Sequence, residues 1–187
     1  METFTPPREF VEHPRFREER EAALASLDLA EIDEPIADIV AGFAKLPYCF
    51  TLQSCQGHFV CGPAADPHAF DPIPIDWAGL VRYRLAYIAF CIENSPRGRA
   101  FREELAGIAR TVPEDVQFGS YSWFWARHVN SYALQVEPDR FRARDEAFLA
   151  PEEALRVERN RDLFFAEVRR VLAADTRECG SDASPRP

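Results

Sequence analysis

No stretch of the chain approaches the ~18 consecutive apolar residues that a membrane span requires. Its opening, "METFTPPREFVEHPRF", lacks a basic segment followed by an apolar one and a small-residue cleavage site. Neither a membrane protein nor a secreted one is expected. Lysine is almost missing: Lys45 is the single lysine among 22 basic residues, and arginine supplies the rest, a bias that fits genome base composition, although arginine also suits phosphate and carboxylate. Positive charge is in deficit overall, with 31 acidic residues and a net charge of −9, so the whole-molecule field repels polyanions. A strongly basic nucleic-acid binder is thereby excluded, and contact with a tRNA would need a local basic patch. Glycine is scarce at eight residues, and the chain has no G-x-x-x-x-G-K-[ST], no G-x-G-x-x-G, no H-E-x-x-H and no G-x-S-x-G. Those absences remove the glycine-rich nucleotide cradle, the zinc-protease helix and the hydrolase nucleophile elbow. The five cysteines, Cys49, Cys55, Cys61, Cys91 and Cys179, are odd in number and scattered, which fits reduced thiols in a cytoplasmic protein.

What is present suffices for one packed unit. The 187 residues are 47% hydrophobic, enough for a single domain over residues 1–174. Residues 1–13 read as an extended arm and 175–187 as a disordered tail. A helix is expected from Pro14, with Phe16, Ala23, Leu24 and Leu27 on one side. A second follows Asp33 as cap and Pro35 in the first turn, with Ile36, Ile39, Val40 and Phe43 as its apolar stripe. The period then changes. Tyr48 to Gln53 reads as a strand, "HFVC" as its continuation or partner, and Gly62 to Asp76, with four prolines, as a long loop of the kind that covers sites. Leu80 to Asn94 ends in a buried run whose Tyr, Ile and Phe favour strand over helix. Ser95-Pro96 starts a helix, Val116 to Pro138 gives aromatic strands with "VNS" as a turn or bulge, and Pro151 to Ala174 gives one long helix or two short ones. The fold class is therefore α+β, one layered domain with a mixed or antiparallel sheet covered by helices.

Two constellations carry candidate chemistry. In "SCQGH", Gly57 permits a positive φ, so successive N–H groups could converge on an anion. A thiol at such a turn beside His58 would have a depressed pKa, making Cys55 a candidate nucleophile with His58 or His128 as base. The competing reading makes Cys55 a small buried hydrophobe and Gly57 a hairpin requirement. Cys55, His58, Cys61 and His68 can be assembled as metal ligands on paper, but the spacing lacks the paired two-residue gaps of a zinc knuckle, and no metal is expected. The second constellation, "WFWARHVNSYALQ", sets Trp123, Trp125, Arg127, His128, Asn130, Ser131 and Gln135 close together. Aromatic faces beside arginine could stack a purine, or form the core side of a strand.

The helix "DEPIADIVAGFAKLP" leading into "YCFTLQSCQGH" resembles the wybutosine-synthesising tRNA methyltransferase family, which methylates N4 of the tricyclic guanosine beside the anticodon. In that family a similar helix and strand run into a Ser-Cys-x-Gly-Arg turn. "SYSWFWARHVNSYALQVEP" is similar in position to the family's later strand, so the order of elements corresponds from about Ile32 to Leu172. Identity concentrates in Ser54, Cys55 and Gly57. The family's arginine after the glycine is His58, its Glu-Pro falls on Asn130-Ser131, and its histidine on Gln135. The resemblance implies an S-adenosylmethionine-dependent methyltransferase-like protein acting in tRNA modification. Ser54, Gly57, Trp125, Arg127, Asn130 and Gln135 would hold the cofactor, and Cys55, His58 or His128 would serve the chemistry. Alternatively, the same pocket would bind a small molecule without turnover.

Overall fold

The computed structural model describes residues 4–138 and 146–181, without the side chains of 176–181. Among the described residues, eight strands form two antiparallel sheets. β1 (Phe4–Thr5), β6 (Val116–Tyr121), β7 (Ser131–Val136), β5 (Ala86–Ile92) and β2 (Cys49–Cys55) form the larger one, with neighbours in that order. β3 (His58–Cys61), β4 (Val81–Arg84) and β8 (Glu146–Leu149) form the smaller. With the helices α1 (Phe16–Ser26), α2 (Ala37–Lys45), α3 (Pro96–Ala109), α4 (Ser122–Arg127) and α5 (Pro151–Ser181), this is the expected α+β class.

Alternation along the strands builds a two-faced large sheet. Ile88, Phe90 and Ile92 of β5, with Tyr132, Leu134 and Val136 of β7, face the main core with α2, α3 and α5. The apolar stripe read for α2 is buried there, Ile39, Val40 and Phe43 being at most 1% exposed. Phe164, Val168 and Val171 of α5 join it, each such side chain contributing about 1.5–3 kcal/mol by leaving water. The other face carries Tyr87, Ala89 and Cys91 and is covered only in part. Phe16 of α1 packs on Phe50 and Cys91, and Phe124 of α4 on Ala89 and Ala133. That partial cover leaves room for a cavity.

Several expectations change in detail. Leu80 to Asn94 is two strands rather than one, because the chain passes from the small sheet to the large one at Leu85. "HFVC" neither continues nor pairs with β2; it opens the second sheet. Val116 to Val129 is not all strand: β6 ends at Tyr121 and α4 supplies the next turn and a half, so β6 and β7 pair antiparallel across a helical connection. Pro151 onward is one helix, and it runs to Ser181, past the expected tail boundary, with Asp175 buried against Arg97. Residues 182–187 lie outside the described residues. Ser95 caps α3 as read, accepting from the Gly98 N–H at 3.1 Å. Asp33 makes no such cap. Glu34–Ile36 form a 3₁₀ turn before α2, and the Asp33 carboxylate turns elsewhere.

Candidate functional site

The "SCQGH" turn is the crossover between the sheets. β2 leaves the large sheet at Cys55 and β3 enters the small one at His58, with Gln56 and Gly57 alone between them. The return crossover, from β4 to β5, passes Ala86, and the two crossovers touch. A Cβ on Gly57 would lie 2.6 Å from that of Ala86, and φ at Gly57 is +80°. Only glycine meets both demands.

The turn's N–H groups do not form an open anion nest. The Gln56 N–H donates to Asp33 Oδ2 at 2.7 Å, and the Gly57 N–H to Cys55 Sγ at 3.4 Å. An internal carboxylate has taken the place the nest reading gave to a ligand. Asp33 Oδ2 also lies 3.8 Å from Nε2 of His58, a ring only 3% exposed, and the donor atoms of Asp33, Cys55 and His58 all fall within 4.8 Å of one another. Burial pushes the Cys55 thiol above its ordinary range, and the Asp33 charge adds to this while the Gly57 N–H opposes it. The depressed pKa expected of a nucleophile is therefore reversed: Cys55 is a thiol at neutral pH.

These groups line a cavity of about 590 Å³. One wall is a row across the small sheet, where His58 pairs with Arg84 and Arg84 with Glu146. Arg84 Nε stands 3.8 Å from Glu146 Oε1. Ser54 and Cys55 at the end of β2 adjoin it, and Tyr87, Tyr121 and Phe124 supply rings from the half-covered face of the large sheet. The long proline-rich loop packs against His58 at the edge of this cavity. Its Ala69 carbonyl meets His58 Nδ1 at 3.3 Å, Phe70 lies against the His58 ring at 5.2 Å, and His68 joins the lining.

Phe124 apart, the second constellation does not come to this cavity. Trp125 packs edge-on against Tyr132, with the Arg8 guanidinium 5.3 Å from its ring centroid. Arg127 stacks on Trp123 at 3.9 Å and bonds its carbonyl, an arrangement internal to the exposed surface of α4. His128 Nδ1 sits 2.9 Å from Glu19 and lines a groove between α1 and β2, not the cavity that Cys55 lines. Asn130 is buried with φ +61°, and its amide fastens the N-terminal arm, accepting from the Val11 N–H and donating to the Val11 carbonyl, both at 2.9 Å. Gln135 is fully buried and bonded to Tyr121, Gln117 and Glu137, so it touches the cavity only through the Tyr121 ring. Ser131 is buried in β7. The strand expected to carry these residues is interrupted by α4, which turns the tryptophans and Arg127 away.

Of the four paper ligands, Cys55 and His58 do meet, and His68 shares their cavity, but Cys61 is absent from it. Three residues along a strand reverse the face, so β3 carries Cys61 away from His58. Asp33, Arg84, Tyr87, Tyr121 and Glu146 were not singled out as site residues in the sequence. Asp33 carries a helix-cap signal that masks its other use, and Arg84 and Glu146 meet only through the pairing of β4 with β8, which has no local signature.

No protein-family model and no curated protein matches this sequence. Among solved structures the chain is similar to the PH1069 protein from Pyrococcus horikoshii, at 13% identity, with 87% of this chain and 97% of that one covered and a TM-score of 0.48. A likeness of that size leaves the chemistry of the cavity to its own geometry.

Proposed function

We propose that the cavity at the β2–β3 crossover binds a small zwitterionic ligand of the S-adenosylmethionine type, and that the protein is methyltransferase-like. The observation that carries this reading is the mixed lining: one guanidinium, two carboxylates and three aromatic rings around about 590 Å³, within the usual range for a small-molecule pocket. Arg84 suits the ligand carboxylate, Asp33 or Glu146 an ammonium or ribose hydroxyls, and Tyr87, Tyr121 and Phe124 a purine face. Ser54 and Cys55, which the tRNA-methyltransferase resemblance singles out, belong to the same lining. Methyl transfer requires chiefly alignment of donor and acceptor, so no catalytic triad is needed. The resemblance makes a tRNA base the acceptor to try first, against a net charge of −9 that calls for a local contact. A cysteine nucleophile is the weaker reading, since burial holds Cys55 as the thiol.

Titration calorimetry with S-adenosylmethionine tests this. Saturable heat that is lost in Asp33→Asn and Arg84→Ala variants melting like the parent supports the site, and transfer of labelled methyl to extracted tRNA supports the reaction. Binding without product would make the protein a ligand-binding module. No heat at millimolar ligand would remove the methyl donor.

A further inference from the structure

We infer that Asp33, Cys55 and His58 form a binding site for a divalent cation of zinc type. Each belongs to a different element: Asp33 to the turn before α2, Cys55 to the end of β2 and His58 to the start of β3. Folding alone brings a carboxylate oxygen, a sulfur and an imidazole nitrogen within 4.8 Å of one another. Bond lengths of about 2.0–2.3 Å put the ligand atoms of a tetrahedral zinc roughly 3.3–3.8 Å apart, so side-chain rotation of the order of an ångström closes the set. Sulfur and imidazole together select zinc or a similar transition ion over calcium or magnesium.

The surroundings of these three groups fit the same purpose. The Ala69 carbonyl can only accept, so its 3.3 Å contact with His58 is a hydrogen bond when Nδ1 carries the proton. That tautomer leaves the lone pair on Nε2, which faces Asp33 Oδ2 at 3.8 Å. With the ring neutral, two electron-rich atoms then lie 3.8 Å apart beside a ring that is only 3% exposed. A cation between them converts repulsion into coordination. A backbone carbonyl on the far nitrogen of a ligating histidine, and a backbone N–H on the ligating carboxylate, here from Gln56 at 2.7 Å, are the usual outer supports of a metal site. Arg84, the arginine lining the cavity, faces Glu146 across the small sheet. His68, exposed on the proline-rich loop with its ring 5.8 Å from that of His58, is placed to supply a fourth ligand on loop adjustment. Binding releases the Cys55 thiol proton to solvent and forms a sulfur–metal bond, leaving two negative ligands and one neutral ligand around the ion. The inference needs three donor atoms and no methyl donor, so it stands apart from the proposed function.

Cobalt(II) titration of the reduced, untagged full-length chain tests it. One equivalent should produce a thiolate-to-cobalt charge-transfer band in the parent, in Cys61→Ser and in Cys179→Ser, and none in Cys55→Ser. As a second readout, zinc should raise the melting temperature of the parent but not of His58→Gln or Asp33→Asn. The inference is overturned if the parent shows no band, or if the band survives in Cys55→Ser. A zinc-induced melting shift of equal size in the parent and in both the Asp33 and His58 variants would also overturn it.

Discussion

The crossover at Ser54–His58 and the aromatic segment at Trp123–Gln135 hold comparable sets of polar and ring-bearing residues, yet the fold uses them in opposite ways. In the aromatic segment nearly every polar tip is consumed within the scaffold. Asn130 clamps the N-terminal arm through both hydrogen bonds to Val11, Gln135 closes a buried network, and Arg127 rests on its own helix. At the crossover, by contrast, Asp33, Cys55, His58, Arg84 and Glu146 share one cavity and are only partly satisfied by one another. A dense polar and aromatic stretch is therefore poor grounds for a site. What marks one is a set of groups from several elements whose hydrogen-bonding capacity remains turned toward shared space.

The sharpest way to break this contrast is at the crossover itself. Gly57→Ala places a methyl 2.6 Å from Ala86 on a backbone with φ +80°, and should cost about 2–5 kcal/mol from overpacking and the left-handed conformation together. Chemical denaturation measures it, and a loss under about 1 kcal/mol would mean that the two crossovers do not need their close approach. Next in size is Asn130→Ala, which leaves the Val11 N–H without its partner and the Val11 carbonyl with Asn94 Nδ2 alone, at 3.3 Å, and should cost about 1–3 kcal/mol. Ligand binding in the crossover cavity should survive it. Loss of binding with little loss of stability would return Asn130 to the site.

A smaller effect comes from Glu19. Burial raises its pKa, but hydrogen bonds from His128 and His13 lower it more, so the carboxyl sits below its ordinary range. A depressed carboxyl contributes stability that is present above its unfolded pKa, about 4.3, and is lost as pH falls through the folded value. Glu19→Gln should accordingly be less stable than the parent near neutrality, and the gap should narrow as the solution is acidified below about pH 4. A gap independent of pH would show that the His13–Glu19–His128 cluster carries no charge-dependent stability. Smallest of all is Arg127→Ala. Among the described residues its guanidinium bonds within exposed α4, so the stability change should stay within about 0.5 kcal/mol.

Much of the fold was legible because it rests on local signals. Ser95-Pro96 starts α3 and Ile36, Ile39, Val40 and Phe43 form the buried stripe before β2, as their spacing requires. The breaks at Leu85 and Tyr121 were not legible. Leu80 to Asn94 has one continuous apolar and aromatic character, and the passage between sheets is imposed by the tertiary demand that Gly57 and Ala86 touch. Aromatic residues likewise give α4 no helical signature, since their propensity favours a strand and packing of Phe124 on Ala89 and Ala133 overrides it. Half of the site was visible for the same reason. Ser54, Cys55, Gly57 and His58 are consecutive or nearly so, whereas Asp33, Arg84 and Glu146 arrive from distant elements through register.

The most direct test of the contrast is calorimetry with S-adenosylmethionine on a matched pair, Arg84→Ala and Arg127→Ala, both melting like the parent. The crossover cavity as ligand site predicts affinity lost in Arg84→Ala and unchanged in Arg127→Ala. Affinity kept in Arg84→Ala and lost in Arg127→Ala would contradict it and move the site to the aromatic segment.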